Sequence, residues 1–151
     1  MKIRSSVKAL IIRDKKLLTI KKEDEKGYMY ILPGGGQEFG ETLIDAVRRE
    51  VREEVGASIS NENIVFVREY IGANHENALT DKDIHVVEHI FSCELEKENI
   101  YELEPDEDQV GIEWIDINEL DTVRFFPKDL VEKIRTLDYT VKNEFYVGDL
   151  N

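Results

Sequence analysis

Cysteine occurs once in this chain, at Cys93, and tryptophan once, at Trp114; two methionines and three prolines complete the scarce residue types among 151 residues. A single thiol excludes an internal disulfide framework and fits a reducing compartment. Cys93 sits in an apolar strand pattern, which reads as buried core rather than nucleophile. No apolar run approaches the roughly 20 residues that a membrane helix needs, and the amino-terminal stretch lacks the shape of a secretory signal. Basic residues are the minority: 20 Lys and Arg stand against 33 Asp and Glu, a formal net charge of −13. That balance argues against nucleic acid polymers or an anionic membrane as partners, since both need basic ground. A small anionic ligand remains compatible if cations neutralise both ligand and site. Repeats and low-complexity segments are lacking too. The expectation is a soluble cytoplasmic protein folded as a single domain over 1–151, with 41% hydrophobic content for its core.

What is present alternates between two periodicities. Val7 to Arg13 and Leu17 to Lys21 read as strands turning at Asp14-Lys15. Tyr28 to Leu32 is a short strand ended by Pro33-Gly34. Thr42 to Val55 reads as a helix closed by Gly56. Ile64 to Ile71, Ile84 to Leu95 and Gly111 to Ile115 are strands by their β-branched and aromatic content, and Pro127 to Arg135 frames a last helix. Mixed in this order, the elements predict an α/β domain with a sheet covered on both faces. The aromatic tail from Tyr139 to Val147 reads either as an added strand or as a contact with a second subunit, a homodimer.

The densest chemical signal is Glu50, Glu53 and Glu54 near the end of the central helix, shortly after Gly34-Gly35-Gly36. With Leu43 at zero and about 100° per residue, Val47, Val51, Ile44 and Val55 fall between about 0° and 120°, a core stripe. Asp45, Arg48 and Arg52 fall between about 140° and 200°, the solvent side. Glu53, Glu50 and Glu54 lie at about 280°, 340° and 20°, so they flank the stripe and Glu54 intrudes into it. Surface acids bridged to arginines a turn away would explain Arg48 and Arg52 but not a carboxylate in the apolar stripe. Crowded carboxylates repel unless a cation lies between them, and a hard divalent metal beside a glycine loop points to phosphate chemistry.

Read in order, the segment is Gly35-x5-Glu41-x7-Arg49-Glu50-Val51-x-Glu53-Glu54-x-Gly56-Ala57. It resembles the box of the Nudix hydrolase family, with Ala57 the one departure, where the family usually carries a larger aliphatic residue. Leu32-Pro33-Gly34-Gly35 before the box and Glu113-Trp114-Ile115 through Leu120 after it extend the resemblance. The resemblance implies an α/β/α sandwich with a mixed sheet and a loop-helix-loop catalytic box. It implies a magnesium ion, or manganese as substitute, on Glu50, Glu54 and Glu53 with the Gly34 carbonyl, and an orienting role for Arg49. Glu53 and Arg49 are thus catalytic candidates, whereas Glu41, in the first helical turn, complements the helix dipole. In several members of that family the catalytic base comes from a loop before the matching tryptophan; here that loop is Glu104 to Asp108, with Glu107 and Asp108 as candidates.

For a substrate, Tyr28, Tyr30 and Phe39 flank the glycine loop, Gly35 lies within it, and Arg4 precedes the first strand. Glu88 alternates with Val86 and Ile90 on an otherwise apolar strand, where an acid needs a partner. The reading is a metal-dependent pyrophosphohydrolase cleaving a nucleoside diphosphate linked to another group, an ADP-ribose-like substrate favoured, by water attack on phosphorus. The alternatives are a nucleoside triphosphate pyrophosphatase that cleans the nucleotide pool, and a non-catalytic regulator of the same fold that senses a nucleotide. His85-Val86-Val87-Glu88-His89 also spells an inverted zincin motif. That motif requires a helix; on a strand the two histidines would be roughly 13 Å apart.

Overall fold

The structure is a computed structural model that describes residues 1–138 and 145–151. Six of the nine tail residues expected as a strand or subunit contact, 139–144, lie outside the described residues.

The first strand, β1 (Ile3–Leu10), runs four residues longer at its start than the apolar pattern suggested. β2 (Ile12–Arg13) and β3 (Lys16–Asp24) form a hairpin in which Asp14 and Lys15 both take positive φ. That backbone is the two-residue turn whose twist matches the strands it joins. β4 (Gly27–Ile31) returns along β3. The glycine run itself is a strand, β5 (Gly34–Gly36), paired antiparallel to β1. The helix α1 (Leu43–Val55) follows, then β6 (Ser58–Ile71), a short α2 (Ala78–Asp81), β7 (His85–Lys97), β8 (Gln109–Asp116), α3 (Val131–Arg135) and β9 (Tyr146–Asp149).

These strands make two sheets. The larger has the order β5-β1-β7-β6-β9 and is mixed: β1 with β7 and β6 with β9 are parallel, the rest antiparallel. The smaller is antiparallel and built on β3, with β2, β4 and β8 beside it. Alternation along each strand divides the core in two. Val7, Ala9, Ile11, Phe91 and Cys93 face α1 and pack on Ala46, Val47 and Val51. Leu10, Phe66 and Ile90 face the other way, toward Leu17, Phe125, Leu130 and Ile134 near α3. The expected sandwich is therefore present. Cys93 is buried as expected, and burial pushes its thiol up to about 12. No helix among the described residues is long and apolar enough to cross a membrane.

His85 and His89 lie on β7 and not on a helix, so the zincin spelling has no structural counterpart. The ring of His85 bonds Glu69, that of His89 bonds the Ser6 carbonyl, and Glu88 points to the opposite face.

The helix that carries the box is closed at both ends. Thr42 and Asp45 exchange side-chain and backbone bonds in a capping box, and the Gly56 N–H returns to the Arg52 carbonyl. Its buried face is Ala46, Val47, Glu50, Val51 and Glu54, rotated toward the glutamates relative to the expected stripe. Ile44, expected in the stripe, is 38% exposed. The reason is β5: three glycines present no side chains, so the helix leans toward the bare strand and its carboxylates fill that space. Replacing the cap, Thr42→Ala, is expected to lower unfolding free energy by about 1 kcal/mol in urea denaturation without altering the sheet's circular-dichroism signature.

Candidate active site

Strand β5 lies at the edge of the larger sheet, and its outer side meets the box helix. Gly34 donates its N–H to Glu54 Oε1 at 2.7 Å, and the Gly36 carbonyl accepts from Arg49 Nη2 at 2.9 Å. A Cβ at Gly34, whose φ is +148°, would collide with the Val7 carbonyl, so only glycine serves there. At Gly35 a Cβ would sit 2.5 Å from Glu50 Oε1, so the missing side chain is what admits that carboxylate.

Arg49 stands at the centre. Its guanidinium clamps Glu41 bidentately at 3.1 and 2.7 Å, and one nitrogen also reaches Glu50 at 2.9 Å and Glu53 at 3.4 Å. These bonds, that to Glu41 foremost, raise the Arg49 pKa, while Arg49 draws the Glu41 carboxyl below its usual range. Glu41 thus anchors the arginine that bridges Glu50 and Glu53; it precedes the N-cap Thr42 and so lies outside the first helical turn in which the sequence reading put it, Asp45 being the acid there.

Glu54 is 2% exposed, and its Oε2 is buried without a hydrogen-bond partner. Burial pushes its carboxyl up to about 7, partly countered by Lys8 and the Gly34 N–H, with Glu50 and Asp106 adding to the rise. Burial raises Glu50 as well, against the pull of Arg49. Among the described residues no three acidic, histidine or cysteine side chains converge into a ready cation cage. The donor set nonetheless suits a hard divalent ion: an orphaned carboxylate oxygen on Glu54, two further carboxylates within one helical turn, and a glycine loop without side chains.

The loop before β8 is brought here by the helix's own unsatisfied carbonyls. Glu104 N–H donates to the Glu53 carbonyl at 2.7 Å, Gln109 Nε2 to the Glu54 carbonyl at 3.1 Å, and Ile100 and Tyr101 N–H to the Gly56 carbonyl. Within this loop Asp106 is the carboxylate whose charge acts on both Glu50 and Glu54. Asp108 and Asp106 both pair with Lys22, at 3.1 and 3.6 Å, and Glu107 is exposed. The sequence reading singled out Glu107 and Asp108 in this loop; in the structure Asp106 adds to the charge felt by Glu50 and Glu54, after that of the glutamates themselves.

Glu88 has the partner its alternation demanded. Arg68 Nε donates to it at 2.8 Å and Ser6 Oγ at 3.3 Å, along a row in register across four strands: Gly36, Ser6, Glu88, Arg68. Burial opposes its charge, yet Arg68 and Lys8 hold its carboxyl below the ordinary range. Arg4 and Lys8 lie on the same face of β1 as Ser6, and Lys8 Nζ donates to the Leu32 carbonyl at 3.2 Å. Arg4, Gly36 and Phe39 border a cavity of about 690 Å³ beside the box, and Phe39 is fully exposed. Tyr28 and Tyr30 are not brought to the carboxylates: Lys21 lies 4.0 Å over the Tyr28 ring, and Tyr30 packs against the core around Phe125. Lys8, Arg68 and Asp106 were missed in sequence. Arg68 carries the same signal as Glu88, a charge alternating with Phe66 and Tyr70 on a strand.

A family model described as NUDIX domain matches residues 2–135. The ADP-ribose pyrophosphatase of Methanocaldococcus jannaschii is 30% identical over 129 residues, 84% of this chain and 70% of that protein. The nucleoside triphosphatase NudI of Escherichia fergusonii is 33% identical over 99 residues, 62% of this chain and 70% of that protein. Among solved structures, a MutT NUDIX hydrolase from Burkholderia pseudomallei superposes with a TM-score of 0.71 at 20% identity, over 90% of this chain and 100% of that one.

The Glu54 carboxyl, ordinarily near 4.5, holds its proton more tightly in the folded protein, where it titrates at about 7. The stability it contributes is therefore complete below about pH 4.5 and is lost as pH rises through about 7. In chelator-treated protein, Glu54→Gln is expected to be more stable than wild type by about 2–3 kcal/mol at pH 8, the gap closing toward pH 5. Urea titrations at both pH values measure this, and a gap independent of pH would contradict the assignment.

Proposed function

This chain belongs to the Nudix family and is a pyrophosphohydrolase acting on phosphoanhydride bonds, and we propose that it depends on a divalent metal and cleaves nucleoside diphosphates linked to a further group, ADP-ribose-like substrates foremost. The observation that carries this reading is the unpartnered, buried Oε2 of Glu54, beside Glu50 and Glu53 and under a glycine strand.

Glu50, Glu53 and Glu54, with the Gly34 carbonyl, are the residues that would hold the ion, and magnesium suits an all-oxygen set, with manganese as substitute. When bound, such an ion neutralises diphosphate charge and makes water a better nucleophile at neutral pH. The protein's own residues do the rest. Arg49, fixed by Glu41, bridges Glu50 and Glu53 through one guanidinium nitrogen. Arg4, at the border of the cavity beside Gly36, offers positive charge to the diphosphate on a protein whose net charge of −13 would otherwise repel it. Asp106, Glu107 and Asp108, on the loop tied to the end of α1, are the carboxylates available to accept the proton of the attacking water. Phe39 offers an open aromatic face to a base next to Gly36 and Arg4. A reducing, cytoplasmic setting fits the lone buried thiol.

A second reading, a nucleoside triphosphate pyrophosphatase, is favoured by the similarity to NudI. A panel of ADP-ribose, nucleotide sugars, nucleoside triphosphates and dinucleoside polyphosphates, with magnesium and product mass spectrometry, separates the readings. The expected products are a nucleoside monophosphate and a phosphorylated partner. Glu54→Gln is expected to reduce turnover ~100-fold or more with the fold intact. Wild-type turnover in that variant would contradict the metal assignment, and binding without product release would identify a non-catalytic sensor instead.

A further inference from the structure

On the solvent face of α1 lies a second cavity, of about 250 Å³, bordered by Asp45, Arg48, Arg49 and Arg52 of the helix, by Ser58 at the start of β6, and by Tyr101. It shares no lining residue with the cavity beside Gly36. We propose that it is a separate binding site for a phosphate-type dianion, inorganic phosphate or a phosphomonoester, held by Arg52 and Arg48.

Three observations carry this. The first is which arginines are unmatched. Six of the eight, Arg13, Arg48, Arg49, Arg68, Arg124 and Arg135, pair with a carboxylate. Arg4 and Arg52 have no carboxylate partner among the described residues. Arg4 borders the catalytic cavity, where an anion is expected, and Arg52 borders this one. With 33 acids against 20 bases, a carboxylate is easily found, so a guanidinium left free is open to an anion from outside.

The second is geometry. Arg48 and Arg52 stand four residues apart, as neighbours on one helical face. Glu62 takes Nε and Nη2 of Arg48, at 2.5 and 3.2 Å, and leaves Nη1. The Arg52 guanidinium lies 5.7 Å from the Tyr101 ring centroid, a contact that restrains it without consuming an N–H donor. Donors from two forks suit a ligand with several oxygens and two charges better than a single carboxylate. Arg49 adds no donor, because its three nitrogens are committed to Glu41, Glu50, Glu53 and the Gly36 carbonyl.

The third is charge and room. Asp45 is the one carboxylate among the lining residues, and the capping box holds it on the Thr42 N–H. With Glu62 set against Arg48 and Asp45 against Arg52, the surroundings are close to neutral. Binding therefore rests on the free donors and is expected on the order of 1 mM. The volume equals about eight waters at ~30 Å³ each, more than a bare phosphate fills, which leaves space for a small organic group. Both products of the hydrolase reading carry a phosphomonoester, so on that reading the ligand is a product.

The test is an NMR titration of nitrogen-labelled protein, without added metal, with inorganic phosphate, D-ribose 5-phosphate and, as control, acetate at matched ionic strength. Both phosphates are expected to shift the Arg52 side-chain N–H and the amides of Ala57, Ser58 and Tyr101, separately from amides near Gly36. Acetate is expected to leave them unmoved. Arg52→Gln is expected to weaken the response of Ala57, Ser58 and Tyr101 about tenfold and to leave that near Gly36 as in wild type. Tighter binding of the sugar phosphate assigns the site to a phosphomonoester, and otherwise the phosphate group alone is recognised; either result supports the site. Shifts confined to the neighbourhood of Gly36, an equal response to acetate, or a response unchanged in Arg52→Gln would overturn it. No arm requires turnover, so the hydrolase reading is decided separately by the substrate panel.

Discussion

Two glutamates, Glu50 and Glu54, are buried on the core-facing side of a helix, and the surrounding structure is arranged around tolerating them. A buried carboxylate costs free energy unless it is bonded or neutralised. Glu50 is bonded by Arg49, and Glu54 by a single glycine N–H, with one oxygen left unmatched. Both carboxyls consequently hold protons more tightly than usual. That strain is retained at one corner of a helix whose caps, apolar face and glycine neighbour are otherwise locally consistent, the pattern expected where function overrides stability. The glycines of β5 make it feasible, because any side chain at Gly35 would occupy the position of the Glu50 carboxylate.

The same helix recruits a segment 44 to 55 residues further along the chain. Its last carbonyls have no partners within the helix, and the Ile100 to Gln109 stretch supplies them. An ordinary capping need thus positions an acidic loop against the carboxylate corner, and Asp106 adds its charge there. Backbone satisfaction and site assembly are one event in this fold.

Across the larger sheet, strand register does comparable work. Ser6, Glu88 and Arg68 meet because β1, β7 and β6 are aligned, not because they are close in sequence. The resulting row sets a buried guanidinium against a buried carboxylate, each the other's partner.

Much was legible in the amino-acid order because it is local. Helical geometry alone set Glu54 among apolar residues, capping residues bounded the helix, and the interval pattern of the box identified the family. The lone cysteine's burial and the need for a partner at Glu88 followed from alternation. What only tertiary structure decided was who answers whom across the sheets. Arg68 for Glu88, the charge of Asp106 on Glu50 and Glu54, the outward turn of Ile44, and the packing of Tyr30 against the core all depend on register and on how closely α1 approaches a strand of bare glycines. Those are sums of many long-range contacts, and a periodicity of 2 or 3.6 residues carries no information about which distant strand lies alongside.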